Sequence, residues 1–158
     1  MITEIRHDNE ILALILSHDF DETGIHFVTP ASFSQQVAYM RHPAGKVIQA
    51  HFHNPVYRDV QYTQEVLLLR KGRLRVDFFD KNQEYIESRI LEAGDVILLA
   101  TGGHGFEVLE EIEMIEVKQG PYAGDHDKTR FSAKLPEQLN FGGHGTRLRA
   151  ASALLANR

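Results

Sequence analysis

The chain contains no cysteine. That removes a disulfide framework, a thiolate zinc site and a cysteine nucleophile together. It is compatible with a reducing cytoplasm, the compartment expected here. Long apolar runs are missing too: the longest uninterrupted one, Ile11 to Leu16, is far short of a bilayer-spanning helix, so no membrane association is expected. The first ten residues carry Glu4, Asp8 and Glu10 and lead into no signal-peptide core, so secretion by that route is not expected. Also absent are a phosphate-cradling Gly-x-x-x-x-Gly-Lys loop, a dinucleotide-binding glycine pattern after a strand, and a serine in a nucleophile elbow. The glycine-rich stretch Gly102-Gly103-His104-Gly105 reads as a strand-to-strand turn instead.

What is present fits one soluble globular domain: 158 residues, of which 42% are hydrophobic and 25% charged. Charge is unevenly spread. Lys134, Arg147, Arg149 and Arg158 face only Glu137 in residues 132–158, so the segment carries +3 of a chain total of −5 and leaves −8 on residues 1–131. A body that acidic is not expected to bind nucleic acid.

The dominant period in the middle of the chain is two. Val76-Asp77-Phe78 and Glu107-Val108 alternate, and the short apolar runs Val66–Leu69, Val96–Ala100 and Glu113–Val117 are separated by turn signals at Gly72, Asp80-Lys81-Asn82, Gly94-Asp95 and Gly102-Gly103. This predicts an all-β fold with strands over 37–41, 47–53, 62–69, 73–79, 84–91, 96–99, 104–109 and 112–118. Ile11–Ser17 and Ile25–Thr29 would add short N-terminal edge strands. One domain is expected over residues 1–131. Residues 132–158 would be a C-terminal extension, either unstructured or packed on a neighbouring subunit, with a short basic helix available to Arg147–Leu155.

Nine histidines are the most informative count, because imidazole is the commonest metal ligand. On a strand, His51 and His53 point to one side with Cα atoms roughly 6.5–7 Å apart, while Phe52 points away. Glu65 opens the apolar run Glu-Val-Leu-Leu-Leu, where a lone carboxylate is expensive to bury. His104 follows the turn Thr101-Gly102-Gly103. Three imidazoles and one carboxylate suit a borderline divalent metal with coordination positions left open; Mn, Fe, Zn and Ni are not distinguished. The same histidines could instead line the fold as hydrogen-bonding groups. His7, His18, His26, His42, His126 and His144 have no partner at useful spacing and read as surface or packing residues.

This arrangement resembles the cupin family over about residues 38–121. Gly45, five residues, His51-Phe-His53 and then Glu65, six residues, Gly72 match the first cupin motif, except that eleven residues separate His53 from Glu65 instead of three or four. Gly94, five residues, Ala100-Thr101-Gly102 and His104 match the second, with Ala for Pro, one residue rather than two before the histidine, and Val108 where Asn is usual. The resemblance implies a double-stranded β-helix, a jelly-roll-like barrel, with His51, His53, Glu65 and His104 around a divalent metal ion. It also implies the homodimer that cupins commonly form.

By parity, Gln49 shares the histidines' face, Thr63 shares that of Glu65, and Phe106 and Val108 give His104 an apolar floor. Tyr57, Arg58, Tyr62 and Gln64 lie in the lengthened segment between ligand strands, where they could bind a carboxylate, a phosphate or sugar hydroxyls; Arg41 could approach the same mouth. The alternative is a solvated loop or a subunit contact. Glu116 and Lys118 alternate with Ile115 and Val117, and which pair faces inward stays open; an inward Lys118 would be a candidate catalytic group. Cupins resemble one another across isomerases, epimerases, dioxygenases and decarboxylases, so the fold does not choose a reaction. The polar mouth favours a small-molecule enzyme of isomerase or epimerase type acting on a sugar or related hydroxy or keto compound. An Fe(II)-dependent dioxygenase and a non-catalytic metabolite-binding cupin are the alternatives.

Overall fold

The computed structural model describes residues 1–136 and the short strand at 148–149. Strands β1 (Ile2–His7) and β2 (Glu10–Leu16) form a hairpin. Its two-residue turn holds Asp8 and Asn9 at φ 45° and 66°, the left-handed backbone that tight hairpins need and that Asp and Asn tolerate. β1 is additional to the expected strands, and Asp8-Asn9 was its signal. Among the described residues, β3 (Gly24–Phe27) and β4 (Ala38–Arg41) pair only with each other. The main sheet is completed by β5 (Glu65–Phe79), β6 (Tyr85–Glu92), β7 (Val96–Leu99), β8 (Gly103–Lys118) and β9 (Leu148–Arg149). The helical piece among the described residues is one 3₁₀ turn, Gly124–Asp127.

β5 is the spine. β8 runs antiparallel along its whole length on one side. On the other side β7 pairs with its first residues and β6 with its last, and β2 and β1 extend the sheet beyond β7. The fold is therefore nearly all-β, as expected, with a sheet strongly curled into a half-barrel. The expected strand pairs 62–69 with 73–79 and 104–109 with 112–118 fuse into two long strands. Gly72 is the reason: its turn signal marks a bulge inside a continuous ladder rather than a reversal. Register shifts fall between Leu69 and Lys71, Lys71 and Arg73, and Arg73 and Leu74, and they switch the core-facing residues of β5 from Leu67 and Leu69 to Leu74, Val76 and Phe78. Such bulges bend a strand and increase its twist.

Gly72 sits at φ +81°, and a Cβ placed there would lie 2.0 Å from the Glu111 carbonyl oxygen. Ion pairs cross the bend on either side, Lys71 to Glu111 at 2.7 Å and Arg73 to Glu110 at 3.3 Å, with Arg75 to Glu107 beyond. Inside the curl, Ile5, Ala13, Ile15, Leu67, Leu74, Val76, Phe78, Leu91 and Ile97 form one apolar core. On the opposite face of β5, Arg75 donates to both oxygens of Asp77 at 2.9 and 3.0 Å, and Asp77 also accepts from Ser88. This pairing meets the demand that buried charge be compensated.

Three expectations need correction. Residues 47–53 form no strand: the chain runs without regular structure from His42 to Gln64, and Val47 and Phe52 are exposed. An alternating stretch becomes a strand only against a partner edge, and here none takes it. Leu148–Arg149 pairs with β6 as a strand rather than starting a helix, while the rest of Arg147–Leu155, and His144, lie outside the described residues. His18 also has a partner: its Nδ1 lies 2.9 Å from Asp95 Oδ1, which raises the imidazole pKa chiefly through that bond.

Gly72→Ala is expected to lose about 2–5 kcal/mol of unfolding free energy, because it adds left-handed strain to a backbone clash. Urea denaturation followed by circular dichroism checks this; a midpoint like that of the wild type would show that the bend tolerates a side chain.

Candidate functional site

The curl brings together the two ends of the β5–β8 ribbon. At one end Glu65 pairs in register with Lys118; at the other Phe78 pairs with His104. Thirteen positions apart along β5, these ends meet: Glu65 Oε2 lies 3.3 Å from His104 Nε2. The Glu65 side chain is 14% exposed and that of His104 31%. Both open into a cavity of about 600 Å³ at the rim of the half-barrel, lined also by Phe106, Glu116, Lys128 and Arg130.

Electrostatics at this contact favour an ionised carboxylate. The His104 imidazole beside Glu65 holds its carboxyl below the usual range, against the opposing effect of burial, and the charges of His104, Lys118 and Lys128 add to the lowering. Lys118 Nζ lies 3.1 Å from Glu116 and 3.9 Å from Glu65. The Glu116 bond raises its pKa, so Lys118 is a fixed cation at neutral pH and not a proton acceptor. Register resolves the direction of this strand: Glu116 stands opposite Leu67 of the core, so Glu116 and Lys118 share the inner face and Ile115 and Val117 are exposed on the other.

The other predicted residues divide. Thr63 lines the cavity and donates to Asp127 Oδ1 at 2.7 Å. Gln64 is buried away from it, accepting from Ser34 Oγ and the Gln35 amide at 3.2 Å each, so it anchors the start of β5. Arg41 pairs with Asp21 on the surface. Gln49, Tyr57, Arg58 and Tyr62 are exposed on the 42–64 segment and do not line the cavity. His51 and His53 lie there too, their rings edge to face at 5.4 Å, with His51 Nδ1 2.9 Å from the Gln49 carbonyl. In donor chemistry the four predicted ligands suit a divalent ion; in placement they do not. Glu65 and His104 meet, His51 and His53 stand apart, and among the described residues no group of three or more His, Cys, Asp or Glu is placed to hold a metal.

Sequence reasoning missed the segment that follows the sheet. Asp127, Lys128, Thr129, Arg130 and Phe131 all line the cavity. Their signal was the dense run of charge ending in an aromatic, Asp-His-Asp-Lys-Thr-Arg-Phe, directly after the last long strand.

A lowered carboxyl pKa stabilises the fold above the unfolded-state value and loses that contribution as pH falls through the folded one. Glu65→Gln should therefore be less stable than the wild type at pH 7, by about 1 kcal/mol. The two should converge as pH drops from about 5 to about 3. Thermal melts across that range test it, and a gap that persists at the acid end would place its origin elsewhere.

Comparison with protein-family models, with curated proteins and with solved structures found no match to this chain.

Proposed function

We propose that this protein is a small-molecule enzyme of isomerase or epimerase type, acting on a sugar or a related hydroxy or keto compound through His104 and Glu65. The observation that carries this reading is the 3.3 Å contact between the two side chains at the wall of a cavity large enough for a small metabolite. In its neutral form, His104 would present its Nε2–H to the Glu65 carboxylate and its Nδ1 lone pair elsewhere. Nδ1 would take a proton from the carbon beside a substrate carbonyl, and Glu65 would stabilise the imidazolium that results. Return of the proton to the former carbonyl carbon, with the hydroxyl proton passing from one enediolate oxygen to the other, gives isomerisation; epimerisation would require a second proton donor on the opposite face of the carbon. Phe106 contributes an apolar face to the cavity wall.

In D2O, the wild type is expected to wash deuterium into the C–H beside the carbonyl of at least one member of a panel of aldoses, ketoses and hydroxy-keto acids, read by proton NMR. His104→Ala should slow the exchange by about 10²–10⁴-fold. Undiminished exchange in the variant, or none with any compound in the panel, would remove the reading.

A second reading keeps the cupin resemblance whole: a closed double-stranded β-helix with a metal centre. Its support is a pair of unmatched surfaces. Among the described residues β8 pairs with β5 alone, so its outer edge is free. Phe106 and Val108 are exposed there, while the alternating segment 47–53, with exposed Val47, Ile48 and Phe52, is itself unpaired. Docking that segment on β8 would add His51 and His53 to Glu65 and His104. A divalent ion held by the four would supply Lewis-acid polarisation of a carbonyl or enediolate oxygen. Elemental analysis by ICP-MS should then find near-stoichiometric metal in the wild type and none in a His51→Ala, His53→Ala double variant. Wild-type protein that stays metal-free after reconstitution with Fe(II), Mn, Ni and Zn would exclude this second reading.

A further inference from the structure

Between β6 and β7 the chain turns through Ala93, Gly94 and Asp95, and the Asp95 side chain is buried there, 8% exposed. Both carboxylate oxygens are engaged. Oδ1 accepts from the His18 amide and Oδ2 from the Glu92 amide, each at 2.8 Å. The backbone of the same turn reaches the spine of the sheet. Asp95 accepts at its carbonyl from the Leu69 amide at 3.0 Å, and the Leu69 carbonyl accepts from the Gly94 amide at 2.6 Å. One residue thus joins the segment after β2, the end of β6 and the part of β5 just before the bend. Gly94 leaves room for this: at φ +95°, a Cβ there would lie 2.8 Å from the His18 Cβ.

A buried carboxylate held by two neutral amides still lacks a counter-charge. His18 is the one basic side chain in ion-pair contact with it among the described residues, its Nδ1 lying 2.9 Å from Oδ1. Nδ1 can donate in the neutral or the protonated ring, but only the imidazolium brings a full opposite charge. The bond to Asp95 and that carboxylate's charge raise the His18 pKa most; desolvation opposes them, and the charges of Asp19 and Glu92 add to the rise. Of those two, Asp19 is itself bonded to the Met1 ammonium at 2.7 Å, and Glu92 lies 3.9 Å from Arg73. Asp95 is therefore the carboxylate that most depends on the state of His18.

We propose that His18 and Asp95 form a protonation-dependent clasp, tightest when the imidazole is charged, which fastens the end of the N-terminal hairpin and the β6–β7 turn to β5 beside the bend. It is independent of the chemistry proposed for the cavity. A raised histidine pKa gives stability that is fully present below the unfolded-state value, about 6.5, and lost as pH rises through the folded one. That sign is opposite to the sign at Glu65, whose contribution is lost on acidification. The fold is therefore firmest between the two losses. Above that window the main-chain bonds of Leu69 and Gly94 loosen first, because they run through the turn that the imidazolium holds.

Unfolding equilibria of the wild type and His18→Gln in urea, from about pH 5.5 to about pH 9, test the sign. Glutamine keeps a hydrogen-bond donor and removes the titrating charge. The wild type's advantage in unfolding constant is expected to shrink several-fold across that range and then level off. NMR titration of the His18 ring should give a midpoint above that of a histidine in an unstructured peptide, and Asp95→Asn should lower it. Amide exchange supplies the conformational readout. After correction for intrinsic rates, protection of the Leu69 and Gly94 amides should fall several-fold further with rising pH in the wild type than in His18→Gln. A His18 with a merely structural role would not produce that difference. An advantage constant with pH, a His18 midpoint at or below the peptide value, or protection that changes equally in wild type and variant overturns the proposal. Should Asp95→Asn fail to fold, the His18→Gln comparison decides alone.

Discussion

The bend at Gly72 is the constraint from which the site follows. A fifteen-residue strand left flat would hold its first and last residues far apart. Three register shifts within a few residues, with a glycine backbone against the Glu111 carbonyl, let the β5–β8 ribbon curl instead. The curl encloses the apolar core and, with the same motion, sets Glu65 against His104. The cross-strand pairs of Lys71, Arg73 and Arg75 with Glu111, Glu110 and Glu107 reinforce it. Each such pair is worth little alone, about 0.2–1 kcal/mol, so packing and the glycine dominate.

The contact at the meeting point depends on parity as much as on proximity. Core-facing positions on β5 are odd before the bend and even after it, and without that switch the strand could not keep Leu67 and Phe78 in one core. Because Glu65 lies in step with Leu67, it inherits the inner face, and Lys118 and Glu116 join it through the register. The result is a carboxylate kept ionised by a fixed cation and an imidazole at a half-buried wall. Solvent screens its charge interactions less there than on the open surface.

Much of this was legible in the sequence. Period-two alternation gave the all-β class and most strands, and two separated motifs grouped Glu65 and His104 with His51 and His53 around one ion, of which the fold brings Glu65 and His104 into contact. Gly72, Gly94 and Gly102 all take positive φ, as their turn signals suggested. What alternation does not reveal is whether a glycine reverses a chain or bulges it, since both need the same backbone freedom; two fused strands were read as four for that reason. Nor does alternation guarantee a partner, and 47–53 alternates well while remaining unpaired. Lys128 and Arg130 were passed over because charge-rich residues after a last strand ordinarily face water. Only the Thr63–Asp127 and Phe79–Phe131 contacts, both long-range, turn them towards the cavity.

The outer edge of β8 has a consequence for how the protein behaves in concentrated solution. A sixteen-residue edge left unpaired among the described residues invites other strands, and this one also exposes Ile115 and Val117. It is, however, studded with Glu107, Glu110, Glu111, Glu113 and Glu116. Two copies approaching edge to edge would bring those carboxylates together in rows, a repulsion that holds only while they are ionised. The residues that brace the bend would therefore also oppose edge-to-edge pairing of two copies while they are ionised, whatever other surface the chain uses.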